Sequence, residues 1–250
     1  MPVVALMSPK GGVGKTTLTA NLASLMGMTQ PHAQRILAVD LDPQNALRFH
    51  HRMHPSDHRG MVPSALDESP LKDAVYQGPY RVDCLPYGVT TEVQRQSFES
   101  MLAQQPYWLA NALKKVRRDT VLVDTPPGPT VYMRQALAVA DMVLVVVLAD
   151  AASFATLEAM SRYIDDYCPA GQARPELRYV VNQIDTTKTL NRDVLTVMKR
   201  SLQGQDKLWQ VHYDGAVEEA LACHQPLGVY QPGSTAAQDL GEIAEWLKTQ

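Results

Sequence analysis

Cysteine, excess positive charge and long hydrophobic runs are all scarce in this chain of 250 residues. Its three cysteines, Cys84, Cys168 and Cys223, form no Cys-x-x-Cys pair, which disfavours a zinc ribbon or a disulfide framework and suits a reducing compartment. The longest apolar run, at residues 142–149, is far shorter than the roughly 20 residues of a membrane span. The apolar amino terminus is too short for a signal peptide, and no basic region precedes it. We therefore expect a cytoplasmic protein with no membrane anchor of its own.

The charge balance narrows the class of protein further. The chain has 23 Lys and Arg against 26 Asp and Glu, a formal net charge of −3 and a pI near 6.2. This balance disfavours a globally basic nucleic-acid-binding protein but permits a local basic patch. The composition that is present, 45% hydrophobic and 20% charged, excludes a disordered chain, a coiled coil and a collagen-like fibre.

Short apolar, β-branched segments alternate with helical patterns along the whole chain. Most of these segments are apolar on both faces, which is typical of a parallel sheet covered by helices on both sides. The alternation predicts an α/β fold, a single doubly wound and mostly parallel sheet in one domain over residues 1–250. The predicted strands are residues 3–7, 36–39, 82–85, 120–123, 142–148, 178–181 and 208–211. The predicted helices are residues 17–28, 135–140, 154–167, 191–202, 215–223 and 236–247.

The segment at residues 50–79 is the least regular part of the chain, and we predict a loop with short helices. Its four histidines, His50, His51, His54 and His58, raise the question of a metal site. We favour a solvated loop, because metal sites need ordered surrounding groups that this polar segment does not offer.

A glycine-rich segment follows the first predicted strand and opens the first predicted helix. Residues 8–17 have the sequence Ser-Pro-Lys-Gly-Gly-Val-Gly-Lys-Thr-Thr. Glycines let successive backbone N–H groups surround phosphate oxygens, and the helix N-terminus adds partial positive charge. The motif predicts that Lys15 reaches the β- and γ-phosphates, that Thr16 coordinates Mg²⁺ and that Thr17 bonds the α-phosphate. The alternative is a strand–helix turn without a ligand. The predicted nucleotide-binding residues of this segment are Lys10, Gly11, Gly12, Val13, Gly14, Lys15, Thr16 and Thr17.

Carboxylates follow two other predicted strands. Asp40 and Asp42 project to the same side of an extended segment, and the carboxyl edge of a parallel sheet turns them toward the nucleotide site. The alternative for Asp42 is a helix cap. Asp124 ends an apolar strand, as in a Walker B motif, and would hold Mg²⁺ through a water; the alternative is a strand-end Asp that only caps its loop. The N–H of Gly128, four residues on, can contact the γ-phosphate and sense hydrolysis.

The glycine-rich segment departs from the ordinary P-loop pattern in one respect. Pro9 stands where that pattern begins with Gly, and a second lysine, Lys10, precedes the glycines. With Asp-Leu-Asp-Pro-Gln at residues 40–44, these features resemble the deviant P-loop of the MinD/ParA ATPases.

The resemblance implies an ATPase that forms a homodimer on binding ATP and Mg²⁺, slow without a partner. It implies that Lys10 acts with Lys15 in catalysis by reaching the phosphates held by the other subunit, where a second cation would neutralise the transferring group. It also implies that Asp42 positions the attacking water and that Asp40 supports the magnesium shell. The alternative for Lys10 is a solvated loop cation.

The base-binding end of the site leaves two interpretations open. Asn182 resembles the adenine-binding Asn of the MinD/ParA family, whereas Asn-Gln-Ile-Asp at residues 182–185 also resembles the Asn-Lys-x-Asp motif of GTPases, in which the Asp binds guanine. The Lys of that motif is missing here, and we favour ATP. His212 and Tyr213, after the last strand, are candidates to cover the base through backbone contacts, and an ordinary surface loop is the alternative.

Further motifs resemble the BcsQ (YhjQ) proteins of bacterial cellulose-synthase operons: Leu-Pro-Tyr-Gly at 85–88, Asp-Thr-Pro-Pro-Gly-Pro at 124–129, Met-Arg-Gln-Ala-Leu at 133–137, Ala-Asp-Ala-Ala-Ser at 149–153 and Val-Glu-Glu-Ala-Leu-Ala at 217–222. This resemblance implies a role in assembling, localising or regulating the cellulose secretion machinery. The expected partners are the cellulose synthase complex or its accessory proteins, which could recruit the chain to the inner membrane or a cell pole.

Other members of the class are distinguished by what this chain lacks. The cysteines are not placed to ligate the Fe–S centre of a nitrogenase iron protein. The chain ends with three acids and one lysine in residues 239–250, unlike the basic membrane helix of MinD, so Trp246 and Leu247 are predicted to be core anchors.

A ParA-like ATPase that binds DNA weakly and non-specifically is the main alternative, and a nucleotide-binding scaffold with little turnover is another. Residues 174–207 hold seven basic and four acidic residues, an excess of 7 − 4 = +3, although a solvated helix face explains such a patch as well. The basic residues are Arg174, Arg178, Lys188, Arg192, Lys199, Arg200 and Lys207, and the acids are Glu176, Asp185, Asp193 and Asp206.

Overall fold

The computed structural model of the protein describes residues 1–29, 35–116, 118–168, 171, 173–202 and 208–250. In this part of the chain one eight-stranded sheet has the order β3-β4-β2-β5-β1-β6-β7-β8. All neighbouring strands are parallel except β3 and β4, which are antiparallel. The strands are β1 (Val3–Met7), β2 (Ile36–Asp40), β3 (Tyr76–Gln77), β4 (Val82–Leu85), β5 (Thr120–Asp124), β6 (Met142–Leu148), β7 (Glu176–Ile184) and β8 (Leu208–His212).

Helices cover both faces of the sheet. Strand β1 shows why, because its side chains alternate between two hydrophobic clusters: Val3, Ala5 and Met7 face one, while Val4 and Leu6 face the other. The helices are α1 (Lys15–Thr29), α2 (Leu47–His50), α3 (Met61–Leu66), α4 (Leu71–Ala74), α5 (Glu92–Gln104), α6 (Trp108–Leu113), α7 (Val131–Leu137), α8 (Ala151–Ala155), α9 (Leu157–Tyr167), α10 (Thr189–Ser201), α11 (Ala216–Ala222), α12 (Leu227–Tyr230) and α13 (Thr235–Leu247). The predicted doubly wound, mostly parallel sheet is confirmed.

The seven predicted strands all form. The helices differ from prediction at α7, at α8 and α9, and at the unpredicted α2, α5, α6 and α12. Helix α7 starts at Val131, four residues before the predicted start, because the Thr130 hydroxyl accepts a hydrogen bond from the Met133 N–H and caps it. The single helix predicted for residues 154–167 is two helices, α8 and α9, separated at Thr156. Helices α5 and α6 were not predicted, although the Thr91–Gln94 capping box marks the start of α5.

The histidine-rich segment is organised around buried side chains rather than fully solvated. Arg48 is 7% exposed and donates hydrogen bonds to the carbonyls of Pro55 and Asp57, which ties the loop to α2. His51 is 1% exposed, so the prediction of a solvated loop is wrong for this histidine. The described residues contain no group of three or more His, Cys, Asp or Glu side chains that could hold a metal ion.

Burial of His51 predicts acid sensitivity of the fold. Desolvation, with a smaller contribution from His50, lowers the pKa of His51 from 6.5 to about 3. Between pH 6.5 and about pH 3, His51 therefore binds a proton in the unfolded chain but not in the folded chain. The stability due to neutral His51 is complete above pH 6.5 and falls as the pH drops below it, by at most about 1.4 kcal/mol per pH unit.

We expect His51→Phe to flatten this pH dependence, because phenylalanine of similar size has no proton to gain. Urea unfolding at pH 7.5 and pH 5 would give the free energy of unfolding of both proteins. The exposed His54 provides a matched control, since His54→Phe removes one histidine from the same loop. An equal loss of stability on acidification in wild type and His51→Phe would contradict the prediction.

Candidate functional site

The glycine-rich segment joins the carboxyl end of β1 to the first turn of α1, and its shape depends on two glycines. Gly12 and Gly14 have φ angles of +74° and +88°, in the left-handed region that other residues avoid. A Cβ on Gly14 would lie 2.5 Å from Asn182 Nδ2, which leaves no room for a side chain. The loop lines a cavity of about 300 Å³, together with Lys15, Thr16 and Asp42.

Lys15 places a buried cation at this cavity. Its side chain is 7% exposed, and its Nζ donates a hydrogen bond to Ser8 Oγ over 2.5 Å. Burial lowers the pKa of Lys15, while the carboxylates of Asp124 and Asp42 raise it. A buried ammonium beside a glycine-rich loop at a helix N-terminus is suited to bind an anion with several oxygens, such as a polyphosphate.

Asp124 and Thr16 form an oxygen pair beside Lys15. The Thr16 hydroxyl donates to Asp124 Oδ2 over 2.6 Å, and Asp124 is fully buried. The other oxygen, Oδ1, is buried and accepts no hydrogen bond of ordinary geometry from the described residues. Burial raises the pKa of Asp124 to about 7, against the lowering effect of Thr16 and Lys15. An unpartnered carboxylate oxygen next to a hydroxyl fits the ligand preference of Mg²⁺.

Asp40 is the last residue of β2 and Asp42 lies two residues beyond it, yet their surroundings differ. Both carboxylate oxygens of buried Asp40 accept backbone hydrogen bonds, from Asp42 N at 2.9 Å and Leu47 N at 3.0 Å, so Asp40 orders the loop. Burial and the charge of Asp124 raise its pKa well above the usual range. The Asp42 carboxylate accepts from Gln44 N and lines the phosphate-sized cavity. It caps no helix, because α2 begins after Ala46 without a side-chain cap.

Lys10 is held within the chain by a residue that the sequence analysis did not identify as functional. Its Nζ donates to Asp150 Oδ2 over 2.7 Å, and both side chains are about one third exposed. Asp150 lies at the end of β6, so the sheet brings it to the carboxyl edge that also carries the glycine-rich segment. The alternative interpretation of Lys10, a solvated loop cation, does not describe it in this structure, because its ammonium is paired with Asp150.

The loop after β5 also contacts the glycine-rich segment. Gly128, with a φ of +76°, donates its N–H to the carbonyl of Ser8 over 2.9 Å, and Pro127 lines the cavity. The amide that was predicted to contact a γ-phosphate is thus engaged by the backbone here. Thr125 anchors the loop, since its hydroxyl donates to the carbonyl of Leu6.

A second cavity of about 210 Å³ adjoins the first, and both share Gly14, Thr17 and Gln183. Asn182 lines this second cavity and is 6% exposed. Its Nδ2 donates a hydrogen bond to the carbonyl of Val13 over 2.8 Å. The rest of the wall is largely apolar and is formed by Leu18, Val211, Val217 and Leu240 with His212, Tyr213, Asp214 and Glu218. A mostly apolar cavity beside a second cavity lined by the glycine-rich loop suits the base of a nucleotide.

The two interpretations of residues 182–185 differ in where Asp185 lies. Asp185 is outside the lining of both cavities, and its carboxylate accepts from the N–H and hydroxyl of Thr187. This placement disfavours a guanine-binding role for Asp185. His212 and Tyr213 do line the base-sized cavity, and the His212 ring is held by Asp239 at 2.8 Å.

The basic patch is weaker than its residue count suggests. Lys207 and Asp206 lie outside the described residues. Of the other basic residues, Arg174, Arg178 and Lys188 form ion pairs with Asp165, Glu176 and Asp185. Arg192, Lys199 and Arg200 are exposed on α10.

The last helix packs into the core, as predicted. Leu247 is 3% exposed, and the Trp246 ring lies 5.7 Å from the ring of Trp209. Among the described residues, no helix combines the length and the apolar character needed to cross a bilayer.

A parallel sheet with a lysine-bearing glycine loop after β1 and acids after β2 and β5 defines a P-loop NTPase of the MinD/ParA type. The model of the family described as "Cellulose biosynthesis protein BcsQ" matches residues 1–247, so the chain belongs to that family.

Individual relatives agree with the assignment to the MinD/ParA type and with the assignment to the BcsQ family. The cellulose biosynthesis protein BcsQ of Salmonella typhimurium is 29% identical over 98% of this chain and 94% of its own length. The chromosome-partitioning ATPase Soj of Thermus thermophilus is 28% identical over 97% of this chain and 93% of its own. The septum site-determining protein MinD of Pyrococcus horikoshii, solved in complex with Mg-ADP, has the same fold, with a TM-score of 0.76, 21% identity and coverage of 98% of this chain and 95% of that chain.

Proposed function

We propose that this chain is an ATP-dependent dimerising switch that assembles, localises or regulates the bacterial cellulose synthase machinery, and that residues 1–250 act as one ATPase domain. The observation that carries the proposal is the cluster of Lys15, Thr16 and Asp124 at one edge of the sheet, with an unpartnered carboxylate oxygen beside the phosphate-sized cavity. Membership of the BcsQ family and the relatives named for cellulose biosynthesis support the cellular role.

The side chains divide the work of binding and hydrolysis. Lys15 and the loop amides bind the β- and γ-phosphates, and Thr17, which lines both cavities, bonds the α-phosphate. Thr16 and Asp124 would hold Mg²⁺, and Asp40, which orders the loop behind them, would support the magnesium shell. When bound, the ion neutralises charge on the phosphate oxygens.

Two further residues act on the γ-phosphate. Asp42 faces the cavity and orients the attacking water, since phosphoryl transfer depends mainly on placement. Lys10 reaches the phosphates of the second subunit in a two-fold dimer with nucleotides between the subunits. At the other end of the site, Asn182, His212 and Tyr213 contact adenine in the base-sized cavity.

Weak, non-specific DNA binding stays a second candidate function, because Arg192, Lys199 and Arg200 are exposed on α10. Retention on duplex DNA that falls steeply with salt would support it. The relative named as a chromosome-partitioning ATPase is consistent with this candidate.

Static light scattering with different nucleotides tests the main proposal. We expect Mg-ATP to double the molar mass, whereas ADP and GTP leave the protein monomeric, because the switch needs a γ-phosphate and the base-sized cavity is predicted to select adenine. Phosphate release in the same samples would establish turnover and separate the switch from a passive scaffold. A protein that stays monomeric with Mg-ATP would contradict the dimerisation, and equal responses to ATP and GTP would contradict the assignment of the base.

A further inference from the structure

The ion pair between Lys10 and Asp150 joins two loops at the carboxyl edge of the sheet that are 140 residues apart in the chain. Its two atoms are 2.7 Å apart, with 31% and 36% of the side chains exposed. The lysine lies at the entrance of the glycine-rich segment, where a second subunit would approach in the proposed dimer. Lys10, which is proposed to bind the phosphates of another subunit, therefore forms an ion pair within its own subunit.

Asp150 is fixed in the position that receives Lys10. Its Oδ1 accepts a hydrogen bond from Ser153 N over 2.6 Å and so caps α8, which leaves Oδ2 for the lysine. The hydroxyl of Ser153 accepts in turn from Leu148 N, at the end of β6. The carboxylate is held by secondary structure, and Lys10 is the flexible partner.

A hydrogen-bond chain links this arrangement to the phosphate-binding lysine. Lys15 Nζ donates to Ser8 Oγ at 2.5 Å, and Ser8 Oγ donates to the carbonyl of Lys10 at 2.7 Å. A phosphate that binds Lys15 would join this hydrogen-bonded group, because the ammonium has further protons to donate beside the one that Ser8 accepts. Ser8 therefore connects the two lysines: in one loop conformation it accepts from Lys15 and donates to the backbone of Lys10, whose side chain binds Asp150.

We propose that Asp150 is a positioning residue that holds Lys10 within its own subunit and competes with the phosphates of the second subunit for this lysine. The proposal rests on the ATP-dependent dimer proposed above. Each subunit must release one such contact when the dimer forms, so the pair sets the protein concentration at which ATP causes dimerisation. A partly exposed pair suits this task, because its strength corresponds to only about 1.4-fold to 5-fold in an equilibrium constant.

Asp150→Asn removes the charge and keeps an oxygen that can cap α8. Since a two-fold dimer releases two contacts, we expect the dimer dissociation constant with Mg-ATP to fall roughly 2-fold to 30-fold. Asp150→Ser, which also retains a capping oxygen, should behave in the same way. Asp165→Asn is the matched control, since Asp165 on α9 is an exposed carboxylate paired with Arg174. This variant should leave the dissociation constant unchanged. Sedimentation equilibrium over a range of protein concentrations would measure all four proteins.

Asp150 could instead act by direct electrostatic repulsion between its carboxylate and the bound nucleotide. A Lys10→Ala background distinguishes this explanation from the proposal. There, Asp150→Asn should leave the ATP affinity of the monomer, measured by calorimetry, equal to that of Lys10→Ala alone, because the lysine through which Asp150 acts is gone. A tighter affinity in that background would show that Asp150 only repels the nucleotide, and this would overturn the proposal.

The dissociation constant itself gives two further outcomes against the proposal. An unchanged value in Asp150→Asn would show that the ion pair does not compete with dimerisation. A higher value would show that Asp150 orients Lys10 toward the second subunit instead of withholding it. If wild type itself stays monomeric with Mg-ATP, the proposed function is wrong. If wild type dimerises and Asp150→Asn has the same dissociation constant, only the role of Asp150 is wrong.

Discussion

Lys15→Ala should reduce ATP binding at least about 100-fold, which places it below detection in an ordinary titration. A charge-assisted hydrogen bond to phosphate contributes roughly 1.5–3 kcal/mol, and the buried ammonium of Lys15 is placed to make more than one. Isothermal titration calorimetry with Mg-ATP would measure the loss.

Lys188→Ala is the matched control for this experiment, since it removes one lysine whose side chain is 69% exposed and paired with Asp185 outside the two cavities. The control should bind ATP as wild type does, and circular dichroism should show both variants folded. Unchanged ATP affinity in a folded Lys15→Ala variant would remove the assignment of the glycine-rich segment as the phosphate site. A chromosomal Lys15→Ala variant should also lower cellulose output in the bacterium, if the proposed role is correct.

The sheet and the position of its site could be predicted because they depend on local patterns. Strands β1, β2 and β5 are buried on both faces, and their sequences are apolar apart from Thr120 and the terminal Asp40 and Asp124. Parallel strands end at one edge, so motifs that follow different strands must meet there. Thr16 and Asp124 are 108 residues apart in the chain, yet their side chains are hydrogen-bonded.

Contacts set by tertiary packing could not be predicted in this way. No local pattern shows that Asp150 faces Lys10, because a helix-capping Asp has the same sequence signature whether or not a lysine lies opposite. The burial of His51 is equally hidden, since it results from a polar loop folding around Arg48. Strand β3 has only two residues, too few to show a period, and it pairs antiparallel to β4.

The same limit applies to the two acids after β2. Their spacing predicts a shared direction, but the structure gives Asp40 two backbone partners and leaves Asp42 facing the cavity with one. The pattern therefore identified the pair, and only the packing of the loop distinguishes a residue that orders the backbone from one that can meet a water molecule.

Asp42→Ala should separate hydrolysis from assembly. The carboxylate lines the cavity but is not needed to cradle the phosphates, so Mg-ATP should still bind and the dimer should still form. Loss of a group that positions the attacking water should slow phosphate release by about 100-fold or more. The dimer should then persist in light scattering long after wild type has returned to monomer.

Lys10→Ala provides the contrast, because its lysine is proposed to act between subunits. Each monomer should bind ATP through Lys15 and the loop amides, while dimerisation and phosphate release both decrease. If Asp42→Ala hydrolyses ATP at the wild-type rate, Asp42 does not position the water. If Lys10→Ala dimerises and hydrolyses as wild type does, Lys10 is an ordinary loop lysine, and its ion pair with Asp150 has no competing partner across the interface. The two variants together thus decide whether this edge of the sheet is a nucleotide pocket alone or a nucleotide pocket completed by a second copy of the chain.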